Sequence, residues 1–255
     1  IASGAITTNS LNNAQTEINT ENAVVMEAGK NIGTNAERIE LRNVATAAAR
    51  SLDVGADAET SSVWLRKLDG KTGNGTNDLT ITRVNGVNTG VGTSAATFNT
   101  DGTTTLDNTF AAGLGFAEGT DLVTAARGLD GIVTSAHDGT VTVTTVDGTL
   151  TIDKSIVANG SGYIDLRTGN VTGAKDIELN GVTGAQDVAN AVEAVDGVLH
   201  STTGTVQLIA SGAITTNSLN NAQTEIATTG DLLISSGGNV GADGRRIEEI
   251  GRAHV

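Results

Sequence analysis

The chain has 255 residues and a formal charge of −14, with 33 Gly, no Pro, no Cys and only five aromatic residues: Trp64, Phe98, Phe110, Phe116 and Tyr163. Without Cys there is no disulfide framework and no thiolate metal site. A pI near 4.4 argues against sequence-independent binding of nucleic acid, which relies on Lys and Arg, and no apolar run approaches the 18 residues of a membrane-spanning helix.

The chain starts at Ile1, with neither a basic n-region nor an apolar h-region, so it is expected to be an interior piece of a longer protein. Residues 1–18, IASGAITTNSLNNAQTEI, recur without a change at 209–226, an offset of 208. Short alternating runs follow: RIEL at 38–41, SVWL at 62–65 and DLTITRV at 78–84. Residues 85–130 break this pattern and hold all three Phe, which predicts an irregular excursion. Beyond it come VTVTTV at 141–146, TLTI at 149–152, GYIDL at 162–166, KDIEL at 175–179, TVQLIA at 205–210 and DLLIS at 231–235. Asp147-Gly148, Asn159-Gly160 and Asn180-Gly181 punctuate them. Period-two alternation bounded by such dipeptides predicts strand and tight turn, because Asn, Asp and Gly accept positive φ. The one helical candidate is 187–195, with Val188, Val192 and Val195 on one face.

Short strands with short turns fit a sandwich, a barrel or a solenoid. The long duplication favours the solenoid, where each circuit touches only its neighbours and a block can be copied without repacking a global core. A layered stack also needs few rings, since Val, Ile, Leu and Ala can fill it. Absence of Pro fits strands paired on both sides, and Asn and Thr can form polar ladders along the stack. At roughly 20–25 residues per circuit, the expectation is about ten to twelve coils, or a rod of about 50–60 Å.

The tail EIGRAHV at 249–255 reads back as a codon string like the start of a sequencing adapter. The copied pattern stops at the same place, where Glu249 faces Leu41, so 249–255 is treated as a non-native tail and Arg252 and His254 carry no function.

The phrases SGAITT (3–8), AGKNIGTNAERIELR (28–42), SSVWLRK (61–67), NGSGYIDLRTGNVTG (159–173) and GTVQLIASGAITT (204–216) resemble repeats of filamentous-haemagglutinin-like and autotransporter-type bacterial adhesins. The resemblance spreads over most of 1–248 and is weakest at 85–130. It implies an all-β chain folded as a right-handed parallel β-helix, with 1–248 as one β-solenoid segment. It also implies a structural or adhesive role at the cell surface or outside the cell, with extracellular protein or glycan receptors and flanking coils of a longer chain as partners.

Candidate sites are few, and the expectation is a non-enzyme with no catalytic, cofactor-binding or metal residues. Ser135, His137 and Asp138 are the residue types of a nucleophilic relay, but neighbours on a strand point to opposite faces, and Asp138-Gly139 reads as a turn. His200 reads as an exposed corner residue. GNGTNDL at 73–79 resembles a calcium nonapeptide, yet calcium needs six to eight oxygens and only one copy is present, so it reads as a turn. On β-helical lyases and hydrolases, carboxylates and cations share a groove. Asp165 and Glu178 would form an outward ladder here if their strands stack, with Arg167 and Lys175 neutralising it, but a solvated face is the simpler reading. Tyr163 and Trp64 lie in short strands, Trp64 being an inward filler or a lone exposed ring. The excursion at 85–130 is where specific binding would most naturally reside.

Overall fold

The computed structural model describes residues 4–9, 11, 16–20, 23–43, 52–58, 62–68, 77–84, 95–98, 104–107, 129–134, 138–180, 199–217 and 224–250. The strands among them are β1 (Ile18–Thr20), β2 (Val24–Ala28), β3 (Ile39–Asn43), β4 (Leu52–Ala58), β5 (Val63–Lys67), β6 (Leu79–Ile81), β7 (Arg83–Val84), β8 (Ala95–Phe98), β9 (Thr104–Asp107), β10 (Leu129–Asp130) and β11 (Ile132–Thr134). They continue as β12 (Val141–Thr145), β13 (Leu150–Ile152), β14 (Ile156–Ala158), β15 (Ile164–Thr168), β16 (Ile177–Leu179), β17 (Leu199–Ser201), β18 (Val206–Ala210), β19 (Ile214–Thr216), β20 (Ile226–Thr228), β21 (Leu232–Ser236) and β22 (Glu249–Ile250). No helix occurs among the described residues; the helical candidate at 187–195 lies outside them.

Most strands whose burial is described bury alternate residues, as in β2, β5 and β18. In β12, Val141 and Val143 are fully buried, as are their neighbours Ile164, Leu166, Val206 and Leu208 on β15 and β18. Fully burying one such side chain stabilises by about 1.5–3 kcal/mol. Among the described residues the hydrophobic cluster holds Val, Ile, Leu and Ala with Met26 and no ring.

From β12 to β21 the chain visits its sheets in a recurring cycle. A seven-stranded sheet runs β1-β3-β5-β12-β15-β18-β21. An eleven-stranded sheet has two arms: residues 52–54 of β4 lead through β6, β13, β16 and β19, and residues 56–58 lead through β11, β14, β17, β20 and β22. From β12 onward the order is seven-stranded sheet, first arm, second arm, and back, with every strand parallel to its counterpart one circuit earlier. The described residues are thus all-β, and the two large sheets are parallel, compatible with a β-solenoid.

The seven-stranded sheet marks seven circuits among the described residues, not the ten to twelve expected. The reason is uneven circuit length. Ile164 follows its partner Val141 by 23 residues, but Val206 follows Ile164 by 42 and Val141 follows Val63 by 78. Contacts divide the chain into one unit of Ile1–Val84 with Asp130–Val255, and a second of Asn85–Leu129. The second holds β8 and β9, paired antiparallel from Ala95↔Asp107 to Phe98↔Thr104. Phe110 and Phe116 lie outside the described residues.

Corners in a stack leave backbone groups that no strand satisfies, and buried ones need partners. Side chains supply them between circuits. Thr149 N donates to Asp78 Oδ1 (2.9 Å), Ser161 N to Asp138 Oδ1 (2.8 Å), Thr172 N to Asp147 Oδ1 (2.8 Å) and Ala213 N to Asp176 Oδ1 (2.6 Å). Each time, a carboxylate accepts the N–H of the matching corner one circuit later. Hydroxyls serve the carbonyls: Thr134, Ser201 and Thr228 donate to the oxygens of Gly139 (3.1 Å), Gly162 (2.6 Å) and Gly204 (2.8 Å). In these columns the polar side chains bind corner backbone and also one another between circuits: Ser161 Oγ donates to Asp138, and Thr172 Oγ1 and Asn77 Nδ2 donate to Asp147.

The duplicated block repeats its contacts. Thr8 Oγ1 donates to Glu17 Oε1 (3.0 Å), and Thr216 Oγ1 donates to Glu225 Oε1 (2.9 Å). Glu17 Oε2 accepts from Glu40 N and Glu225 Oε2 from Glu248 N, both at 2.7 Å. Gly33 N donates to Ile6 O and Gly241 N to Ile214 O, and both glycines have positive φ, +71° and +67°. Yet the sheets are exchanged. β1 and β3 belong to the seven-stranded sheet and β2 to the other, whereas their copies β20 and β22 belong to the eleven-stranded sheet and β21 to the seven-stranded one. The match Ile18↔Leu41 recurs as Ile226↔Glu249, with buried Leu41 replaced by an exposed Glu.

Two outcomes follow. A Cβ on Gly204 would overlap the carbonyl oxygen of Gly162 one circuit below, so Gly204→Ala is expected to cost about 1–3 kcal/mol in urea unfolding. Burial of Asp147 opposes its ionisation, but hydrogen bonds from Thr172, with Lys175 and Asn77 nearby, outweigh it and hold the carboxyl below its ordinary 3.8. A depressed folded value means the stabilisation is complete above the unfolded value and is lost as pH falls from about 4 through the folded one. Asp147→Asn is therefore expected to flatten the stability–pH curve below pH 4, read by denaturant melts across pH 2–6.

Candidate binding surface

On the outward side of the seven-stranded sheet, residues that alternate with the core line up across circuits. One row is Trp64, Thr142, Asp165, Gln207 and Leu233. The next is Glu40, Arg66, Thr144, Arg167, Ile209 and Ser235. Neighbouring strands lie roughly 4.8 Å apart, so long side chains reach over a short one between them. The Trp64 and Tyr163 rings meet edge to face with centroids 6.2 Å apart, although Thr142 lies between their strands in the sheet, and Thr142 is fully buried.

Charge is interleaved around these rings. Arg66 donates to Glu40 Oε1 at 2.7 Å, and Arg167 Nε donates to Asp165 Oδ1 and Oδ2 at 2.7 and 3.0 Å. Arg38, carried by the turn that Thr34 N closes on Glu37 O, reaches Thr144 Oγ1 at 2.8 Å. Burial lowers the Arg38 pKa; Asp165 pulls the other way, and Arg167 and Arg66 lower it further. The Asp165 hydrogen bond raises that of Arg167. Three guanidiniums therefore lie close together around two carboxylates on a chain that is otherwise strongly acidic. Such a surface suits contact with planar or anionic groups, because Arg pairs carboxylates in fixed geometry and exposed rings supply apolar area.

Other candidates from the sequence fall elsewhere. Asp165 and Glu178 do not form a ladder: their strands β15 and β16 belong to different sheets, because the chain changes sheet at the corner between them. Asp165 stacks instead with Thr142 and Gln207, and Glu178 accepts from Thr151 Oγ1 at 3.1 Å. Lys175 approaches Asp147 at 3.9 Å. Trp64 is neither an inward filler nor a lone exposed ring; it points outward, is partly buried and pairs with Tyr163. His200 is not at a corner. It alternates with the inward Leu199 and Ser201 in mid-strand, between Val157 and Ala227, and burial lowers its pKa.

Ser135 and His137 lie outside the described residues, while Asp138 takes a positive φ of 72° and binds Ser161 as a turn residue. Of GNGTNDL, residues 73–76 lie outside the described part. Asn77 donates to Asp147 (3.4 Å) and Asp78 accepts from Thr149, both corner duties. Among the described residues no group of three His, Asp or Glu is placed to hold a metal.

The sequence reading missed Arg38, Glu40, Arg66 and Thr142. Sliding the runs SVWL, VTVTTV, YIDL and VQLI onto one register by their inward aliphatics would have placed Trp64, Thr142, Asp165 and Gln207 in one row. For the rings, a double-mutant cycle of Trp64→Ala and Tyr163→Ala is expected to give a coupling of about 0.5–1.5 kcal/mol; additive losses would mean that the rings contribute independently.

No family model, no curated protein and no solved structure matches the chain.

Proposed function

We propose that the chain is a segment of a right-handed parallel β-helix serving as a structural and adhesive element of a large bacterial cell-surface or secreted protein. The observation that carries this reading is the duplicated block. Its two copies make the same Thr–Glu–backbone clasp at Glu17 and Glu225 in separate circuits, the behaviour of a stack extended by copying circuits. Right-handedness rests on the strong general preference of parallel crossover connections for that hand.

The role is non-enzymatic: a stack displays its outward rows at a distance, and repeated weak contacts add through effective concentration. Extracellular proteins or glycans are the partners, and the Arg-and-ring surface around Trp64 is the contact face. No helix among the described residues is long and apolar enough to cross a membrane.

Beads coated with residues 1–248 are expected to be retained on cell-matrix proteins or immobilised glycans several-fold above beads coated with the heat-denatured chain. Arg167→Gln with Tyr163→Ala should reduce that retention. Equal retention of native and denatured coats across a broad panel would sink the adhesive reading.

A further inference from the structure

The outward rows of the seven-stranded sheet have a spacing that selects what they can hold. Arg66, Thr144 and Arg167 occupy the same position on β5, β12 and β15. Arg38 fills the middle place, because its Nη1 donates to Thr144 Oγ1 at 2.8 Å. A guanidinium therefore stands on each of three successive strands, one every roughly 4.8 Å, in a line along the stack. A chain with 15 Lys and Arg against 29 Asp and Glu places three of its cations in this one line.

Buried carboxylates hold the two outer members. Glu40, 1% exposed, accepts from Arg66, and Asp165, 7% exposed, accepts from Arg167 Nε through both oxygens. The two terminal nitrogens of Arg167 then make no hydrogen bond among the described residues, on a side chain that is 45% exposed. Burial lowers the Arg38 pKa, Asp165 opposes that, and Arg167 and Arg66 add to it. An anion laid along the line offsets this mutual repulsion. The rings flank the line on one side: Trp64 precedes Arg66 by two residues, and Tyr163, 39% exposed, precedes Arg167 by four.

We propose that this line of guanidiniums, with its flanking rings, is a binding site for an unbranched polysaccharide whose sugar rings carry carboxylates, lying along the stack axis. The outward end of Arg167 can grip a planar carboxylate with two nitrogens. Apolar C–H faces of the sugar rings pack against Tyr163 and Trp64. One sugar ring is close to one strand spacing in length, so successive rings meet successive guanidiniums. An extended acidic peptide fits less well. Its same-side carboxylates repeat every two residues, about 6.6 Å, and fall out of step with the line. The inference rests on the reading of this face as the contact surface and names the chemistry of what it takes.

Trp64 is the only tryptophan of the chain, so its fluorescence reports on the site directly. Titrating the full chain with an eight-ring hexuronate oligosaccharide is expected to change Trp64 emission saturably, with binding confirmed by calorimetry. The fully methyl-esterified oligosaccharide keeps the rings without the charge, and an oligoglutamate keeps the charge without the rings. Each is expected to bind about tenfold more weakly. Arg167→Gln should weaken hexuronate binding about tenfold, and Arg167→Lys nearly as much, because Lys keeps the charge but loses the fork. Ser235→Ala, in the same row two strands further on, should leave binding unchanged. Absence of hexuronate binding overturns the proposal, and so does binding that Arg167→Gln leaves intact. Equal binding of the methyl ester overturns the role of the carboxylates, and equal binding of oligoglutamate gives the site to an acidic peptide instead. Should Arg167→Gln lose the far-UV strand signal, Arg167→Lys decides in its place. Bead retention on matrix proteins without hexuronate binding would remove the polysaccharide and leave the adhesive reading; hexuronate binding without bead retention would do the reverse.

Discussion

The constraint on which the rest depends is the satisfaction of backbone polar groups where the chain turns from one sheet to the next. Strands in a parallel stack take care of their own N–H and C=O groups through neighbours one circuit away. Corners have no such ladder, and a buried unpaired amide costs as much as a lost hydrogen bond. This chain answers with short carboxylates and hydroxyls placed just before or after strands: Asp78, Asp138, Asp147, Asp176, Glu17 and Glu225 for N–H groups, and Thr134, Ser201 and Thr228 for carbonyls. Apart from the Thr134–Gly139 bond, which closes a single corner, each spans two circuits, so each fixes register as well as satisfying a donor or acceptor.

That arrangement gives the net charge of −14 a second meaning. An acidic surface reads from composition as solvation or as repulsion of nucleic acid. In the structure a set of its carboxylates is committed to backbone donors, some nearly out of reach of water: Asp147 is 1% exposed and Glu225 2%. Positive charge, by contrast, gathers on the outward side of the seven-stranded sheet, where Arg38, Arg66 and Arg167 surround Asp165 and Glu40. Structural acids and surface guanidiniums thus occupy different places in the fold, the first at corners and the second on a strand face.

Much of this was legible in the sequence. The runs VTVTTV, SVWL, GYIDL and TVQLIA fall on β12, β5, β15 and β18 because alternation of an aliphatic with a polar residue has only one pleated solution. The aliphatic filling of the described hydrophobic cluster was legible from the scarcity of aromatics in the composition. What was not legible was which strand meets which. Asp165 and Glu178 look like neighbours because YIDL and DIEL follow one another, but the corner between them moves the chain to another sheet. Register also jumps where a circuit is long, as between Val63 and Val141, and no local pattern records where a chain returns. The Trp64–Tyr163 pair is hidden similarly, its members being 99 residues apart in sequence yet in contact.

The exchange of sheets between the two copies has a consequence for how the molecule responds to substitution. Ile18 lies in β1 of the seven-stranded sheet, whereas its copy Ile226 lies in β20 of the eleven-stranded one. The same replacement made at these two positions therefore disturbs two different sets of neighbours, β3 in one case and β17 with β22 in the other. Identical sequence does not make the two positions energetically equivalent.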